Sequence, residues 1–427
     1  MREMKDSRIS WINQIPENWN VEPIKYSYRL IAGATPESTN VDFWDGDIKW
    51  ITPADFKTKD VFVMGGSRNL TIEGYKSCST SMLPIGSIVF SKRAPIGTVA
   101  ITADKLCTNQ GCLGLVEKSD RVLNKFYFYV ISIYGEVFNL YGSGTTFKEI
   151  SANTFANIKL PMPPIQEQKH IVNFLDAKCA EIDALTADIQ TQIDSLEQYK
   201  RSIISEAVTK GLNPDVEMKD SGNQYWGSIP TNWHLSDIKY LFEIVKRNAG
   251  KEGYDILSVT QKGIKIKDIS NNEGQVAESY ANYQFVYPGD FVMNHMDLLT
   301  GWVDCSNLFG VTSPDYRVFR LRDKNNSLSY YKYIMQTCYM NRIFYSLGQG
   351  VSNLGRWRLQ TSSFNNFMVP VPPVEVQESI ATYLDKKCTE INICIDDKQR
   401  QLEVLEEYKK SLIYEYVTGK KEVTNYK

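Results

Sequence analysis

The sequence predicts an α+β protein: two mixed α/β domains in tandem, each followed by a long helix, the two helices pairing as an antiparallel coiled coil. Three observations predict it. Segments recur at a fixed offset along the chain, two long stretches carry apolar residues at intervals of seven, and the blocks between them alternate short β-branched and aromatic runs with Gly and Pro.

The repeat decides the organisation. Ile15-Pro16-Glu17-Asn18-Trp19 and Ile24-Lys25-Tyr26 return as Ile229-Pro230-Thr231-Asn232-Trp233 and Ile238-Lys239-Tyr240. Pro163-Pro164-Ile165, Gln168, Phe174-Leu175-Asp176, Lys178-Cys179 and Glu181-Ile182 return as Pro372-Pro373-Val374, Gln377, Tyr383-Leu384-Asp385, Lys387-Cys388 and Glu390-Ile391. Leu196-Glu197 with Tyr199-Lys200 returns as Leu405-Glu406 with Tyr408-Lys409. Between these matches the halves differ. The predicted domains are therefore a block at 1–162, a helix at 163–212, a linker and second block at 213–371, and a helix at 372–427.

In the first block, runs at 48–52, 61–64, 87–90 and 99–102 read as strands, and 125–140 reads as a helix. The turn after the third strand carries Lys92 and Arg93, cations placed to reach phosphates or guanine edges. Two polar, glycine-containing loops follow: Asn109 and Gln110, then Ser143, Thr145, Thr146 and Lys148. Amide side chains suit adenine edges, and hydroxyls suit phosphates.

After Pro163-Pro164 the chain has no Pro or Gly until Gly211, and Leu175, Ile182, Ile189, Leu196 and Ile203 follow a strict interval of seven. Such a stripe marks a helix that lies along another helix. At ~1.5 Å per residue, about 45 residues reach roughly 65 Å. Because one chain supplies two matching stripes, an intramolecular antiparallel pair is expected in preference to a dimerisation arm. Gly211-Leu212-Asn213-Pro214 ends this helix, and the polar stretch 215–224 is expected to link the halves.

The second block repeats the outline, with a helix expected at 329–347. Its polar loops hold Asn294 and His295, then Ser313, Tyr316 and Arg317, then Gln349, Ser352, Asn353 and Arg356, with Arg358 just beyond. In the second helix Leu384, Ile391, Leu405 and Leu412 continue the stripe, which Lys398 interrupts.

Composition sets limits. The formal net charge of −2 gives no overall attraction to nucleic acid. The blocks are mildly basic, with 15 Lys+Arg against 12 Asp+Glu at 25–160 and 15 against 11 at 238–371. The stretch 165–210 is acidic, with 5 against 8, so DNA contact is expected from the blocks. The polar N-terminus predicts no secretory signal and no apolar run suits a membrane, so a cytoplasmic protein is expected. Eight cysteines without CxxC spacing read as buried reduced thiols.

Phosphate-binding loops, GxGxxG and a base-methylation motif are missing from the sequence. Residues 214–219 spell Pro-Asp-Val-Glu-Met-Lys, the letters of a nuclease motif, but consecutively in an expected linker, where the carboxylates have no reason to converge on a metal. No catalytic residue and no metal site is therefore expected. A self-sufficient DNA-processing enzyme and a coiled-coil scaffold are the alternatives to a DNA reader.

Taken together, Ile-Pro-x-Asn-Trp opening each half, Pro-Pro before each long helix, the following Gln and Phe/Tyr-Leu-Asp, the late Glu-x-Tyr-Lys and the Gly-Leu-Asn-Pro junction identify a resemblance. The chain resembles the specificity subunits of type I restriction–modification systems. The resemblance implies that each block reads one half of a bipartite double-stranded DNA target. It also implies that the helices act as spacers and as docking surface for two methylation subunits, with restriction motor-nuclease subunits joining for cleavage. S-adenosylmethionine, ATP and Mg would then belong to those partners and not to this chain. A rigid separator is expected to place the two reading surfaces on the order of 34 Å apart, about one turn of DNA.

Overall fold

The computed structural model describes residues 2–57, 61–93, 95–144, 148–268, 279–350 and 357–423, with Glu136 described by its backbone alone. The chain divides into two compact units: Met1–Ile189 with Arg400–Lys427, and Gln190–Gln399. Each unit thus contains one block, the start of the long helix that follows it and the end of the other long helix.

In the first unit a five-stranded sheet runs in the order Tyr28–Ala32, Cys112–Glu117, Ile88–Ser91, Val99–Thr102, Phe62–Val63. All its pairs are antiparallel except the last. Ile88–Ser91 and Val99–Thr102 are buried along their whole length, which is why their sequences are continuous apolar runs and not alternating ones. The aromatic residues pack on this sheet: Phe90 stacks on Phe155 at 4.1 Å and meets Phe138 edge-on. The helix expected at 125–140 is two helices, Asn124–Ser132 and Gly135–Leu140. The break falls where two backbones meet, for a Cβ on Gly97, itself at φ +101°, would lie 2.5 Å from the Gly135 Cα.

The second unit has the corresponding sheet with four strands: Phe242–Val245, Arg317–Leu321, Phe291–Met293, Val303–Cys305, all antiparallel. Its aromatic helix also departs from the expected 329–347, dividing into Leu328–Met340 and Ile343–Ser346 at Arg342, which takes the left-handed φ of 54°. A short antiparallel ladder closes each block: Asn20–Pro23 with Lys159–Met162, and His234–Asp237 with Met368–Val371.

The repeated residues fasten each block to its helix in the same way. Gln168 is fully buried; its Oε1 accepts from the Leu123 amide, and its Nε2 donates to the carbonyls of Arg121 and Pro163. Gln377 acts alike: its Oε1 accepts from the Ser327 amide, and its Nε2 donates to the Pro372 carbonyl and to the Asn326 side-chain Oδ1. Tyr129 donates to Asp176 and Tyr333 to Asp385, both at 2.7 Å. A lysine from the same aromatic helix joins each pair, Lys125 or Lys332. These contacts explain why Gln, Asp and the nearby apolar residues recur when the strands do not.

The two long helices, Ile165–Lys210 and Val374–Val417, run antiparallel. In the first unit Phe174 meets Tyr416 and Asp183 meets Lys409, so one number rises as the other falls. In the second unit Gln192 meets Lys398 and Lys200 meets Asn392. Lys398, which interrupts the apolar stripe, therefore makes a polar contact across the pair. The stripe of Leu175, Ile182 and Ile189 is buried; beyond it Ile193, Ile204, Ala207 and Val208 are the buried residues, while Leu196 and Ile203 are partly exposed.

The linker expected at 215–224 is shorter than the sequence suggests. Met218–Asp220 is a strand paired with Ser228–Pro230, as Met4–Asp6 pairs with Gln14–Pro16. The second repeat thus begins at Met218-Lys219-Asp220-Ser221, the counterpart of Met4-Lys5-Asp6-Ser7. The nuclease-like letters straddle this start, and among the described residues no group of three or more His, Cys, Asp or Glu is placed to hold a metal ion. The described cysteines are unpaired, five of them buried and Cys394 exposed. Burial pushes the Cys107 thiol up to about 11 and that of Cys305 up to about 12. No helix among the described residues is long and apolar enough to cross a membrane.

Candidate nucleic-acid interface

Antiparallel pairing gathers three polar loops of the first unit at one end of its sheet. The turn at 92–98 leaves the Ile88–Ser91 strand, the loop at 109–111 enters the Cys112–Glu117 strand, and the loop from Ser143 to Glu149 is tied to the first of these. The Lys92 amide donates to the Gly111 carbonyl, and the Ile150 amide donates to the Lys92 carbonyl. Ser143 and Glu149 exchange both backbone hydrogen bonds and so hold the two ends of the third loop together.

The side chains in this cluster are partly committed to one another. The Glu149 carboxylate receives the Lys92 ammonium at 2.9 Å and lies 3.5 Å from an Arg93 guanidinium nitrogen. Lys92 is nearly buried, at 12 % side-chain exposure, while Arg93 keeps 35 %. Asn109 accepts from the Gly111 amide with its Oδ1, and Gln110 is exposed with its Oε1 accepting from Thr35. Lys148 is exposed. Thr145 and Thr146 lie outside the described residues. Sequence reasoning missed Glu149 and Thr35; neither lies in a motif, and each meets its partner across more than fifty residues.

The second unit builds the same end from different side chains. Asn294 and His295 leave the Phe291–Met293 strand, residues 313–316 enter the Arg317–Leu321 strand, and Gln349 and Arg358 exchange backbone hydrogen bonds as Ser143 and Glu149 do. The Leu359 amide donates to the His295 carbonyl, as Ile150 does to Lys92. Burial, then the charges of Arg317 and Arg358, push the His295 imidazole down to about 4, so it is neutral at physiological pH; its buried Nδ1 has no protein partner among the described residues. Asn294 accepts from the Met296 amide. Arg358 is exposed. Ser352, Asn353 and Arg356 lie outside the described residues.

Two expected DNA contacts are otherwise employed. Arg317 is 5 % exposed; its guanidinium donates to the Leu359 carbonyl and the Thr361 hydroxyl and lies over the Phe364 ring at 4.5 Å. Burial lowers its pKa to about 10. It braces the chain just after Arg358 from within the unit, and its guanidinium is buried away from the surface. The Ser313 hydroxyl accepts from the Asp315 amide, and the carbonyls of Ser313 and Tyr316 hold the buried Gln284 amide, so this loop is braced from within. The Tyr316 ring is half-buried, and burial raises its phenol pKa.

Comparison with known proteins supplies a context for these paired loop clusters. The family model for the type I restriction modification DNA specificity domain matches residues 16–195 and 230–404, one copy over each half. The MjaIX type I restriction enzyme specificity subunit of Methanocaldococcus jannaschii is 31% identical over 247 residues, covering 56% of this chain and 54% of that protein. The MjaVIII specificity subunit of the same organism is 25% identical over 332 residues, 73% of each chain. The chain spans about half the length of the first curated relatives it matches. A solved chain from a study of assembly and conformational transition in the type I R-M system shares the fold, with a TM-score of 0.68 at 14% identity over 94% of this chain and 98% of that one.

Proposed function

The chain belongs to the type I restriction modification DNA specificity family, and on that premise we propose that it is a non-catalytic reader of a two-part DNA sequence, each unit taking one half through its three-loop end. The observation that supports this reading most strongly is the pairing of a repeated framework with unrepeated side chains. The backbone bonds that close the third loop and tie it to the first recur in both units, while Lys92, Arg93 and Glu149 give way to His295 and Arg358. A framework kept constant with a variable tip is what a target of two unlike halves requires.

DNA is read in the major groove by donors and acceptors at defined positions, and the described side chains include both. The blocks supply modest positive charge for the phosphates, and linking two weak readers raises the effective concentration of the second once the first is bound. In this reading two methylation subunits and restriction motor-nuclease subunits carry out the chemistry. S-adenosylmethionine, ATP and Mg are bound by those partners, and the assembly works in the cytoplasm.

Methylome sequencing of a host expressing the chain with its neighbouring methyltransferase, with and without the chain, tests the proposal. We predict methylated adenine at a two-part motif with a gap of one fixed length, present only with the chain. Unchanged methylation by an assembled complex would instead indicate a scaffold.

A further inference from the structure

Glu149 and Arg358 occupy the same place in the two units. Each is the second member of the two-residue bridge that closes the third loop, Ser143 with Glu149 and Gln349 with Arg358. Each is followed by a buried aliphatic residue, Ile150 or Leu359, whose amide donates to the first-loop residue, Lys92 or His295. Each then leads into a short helix, Ala152–Asn157 or Thr361–Asn365. The backbone is equivalent and the charge is opposite. We propose that this one position sets which bases each half-site must present: in the first unit Glu149 holds Lys92 and Arg93 as a fixed pair of donors, and in the second unit Arg358 is itself the donor beside the imidazole of His295. The inference rests on the DNA-reading function proposed above and adds its determinants.

An arginine reads guanine bidentately through O6 and N7 only when its plane is held, and an exposed arginine otherwise samples many rotamers. Glu149 holds the neighbouring cations at 2.9 and 3.5 Å, and Arg93 remains one-third exposed, so part of its guanidinium edge is open to a ligand. Gly111 lies beneath it, where an added Cβ would stand 3.2 Å from the Arg93 Nε and 3.0 Å from the Asn109 Oδ1. Glu149 is thus a positioning residue and Arg93 the contact. In the second unit Arg358 itself takes the carboxylate's place, exposed and with no side-chain hydrogen bond among the described residues, so its guanidinium plane is fixed only by the ligand contact itself. Gly350, just after the bridge, packs on the Trp357 ring, which itself meets Tyr345. The bridge carrying Arg358 therefore stands on an aromatic base.

The test uses the full chain in complex with its methyltransferase subunits and a set of duplexes in which each base pair of the methylome-derived target is changed in turn. The discrimination ratio is read at each position. Glu149→Ala is expected to reduce discrimination roughly ten- to hundredfold at a position of the first half-site, the size of one bidentate contact. It should leave the second half-site ratios unchanged, and non-specific affinity should hold or rise, because a negative charge has been removed. Arg93→Lys keeps the charge and loses the fork, and it should relax the same position. Arg358→Ala should relax a position of the second half only. A merely structural role for Glu149 would lower the melting temperature and weaken both halves together without changing any ratio, and that result overturns the inference. Unchanged ratios with all three variants overturn it as well. If the unaltered complex shows no sequence preference at all, the proposed function itself fails, an outcome distinct from the others.

Discussion

Gln168 and Gln377 show how much one amide can hold. Each is buried and satisfies backbone groups at the start of an aromatic helix and at the Pro-Pro turn. Removing the amide leaves buried donors and acceptors without partners, at about 1–3 kcal/mol each when water cannot reach them. We predict that Gln168→Ala costs the first unit about 2–3 kcal/mol, measured by denaturant unfolding of the full chain, with Gln168→Glu no rescue because a carboxylate cannot donate to the Arg121 and Pro163 carbonyls. His295 gives a pH prediction. Its folded pKa of about 4 lies below the ordinary value near 6.5. The unfolded chain therefore binds the proton first, and stability present above pH 6.5 is lost as pH falls toward 4. His295→Asn should flatten that part of the stability profile relative to the parent; equal slopes between pH 6.5 and 4 would show that the imidazole is not held neutral. The two glutamines were legible from their repetition. The neutral state of His295 was not, because it depends first on burial and then on the charges of Arg317 and Arg358, which lie far along the chain.

The long helices were legible as elements, since a stripe of period seven and an uninterrupted run without Pro or Gly need no tertiary information. Their contacts were less so. Lys398 reads in sequence as a flaw in the stripe, and in the fold it meets Gln192. Polar residues at seam positions fix the register of helix pairs more than they strengthen them. Lys409 with Asp183 is largely exposed, and such pairs contribute about 0–1 kcal/mol. Lys409→Ala should accordingly change unfolding by less than about 1 kcal/mol. Leu384→Ala, at a fully buried position, should cost about 2–5 kcal/mol. Comparable losses for the two variants would contradict this division between packing and register. The strands were partly legible. Val99–Thr102 falls on the expected residues, but sheet order and the parallel pairing of Phe62–Val63 with it depend on contacts that no local pattern encodes. The split of both aromatic helices escaped sequence reading for the same reason: a glycine contact in one case and a left-handed arginine in the other impose the break.

For the molecule as a whole, duplication was the most informative feature of the sequence, and its extent was underestimated. The match of Met218-Lys219-Asp220-Ser221 with Met4-Lys5-Asp6-Ser7 is short and polar, so it reads as linker until the strand pairing is seen. A corresponding relation holds at the other end of each repeat. Gly211, after the first long helix, lies against Trp233, and Gly419, after the second, lies against Pro16 and Trp19. Leu412, Ile413 and Val417 belong to the first unit's core as Ile204, Ala207 and Val208 belong to the second's. Deleting residues from 411 onward should therefore unfold the first unit preferentially, seen as loss of protease protection in 1–160 while 230–370 remains protected; equal protection would sink this reading. The order of residues along the polypeptide and the order of contacts in space are, for this architecture, separate matters. The end of the last helix is to the first block what the end of the first helix is to the second, so each block is completed by the end of the long helix that does not follow it.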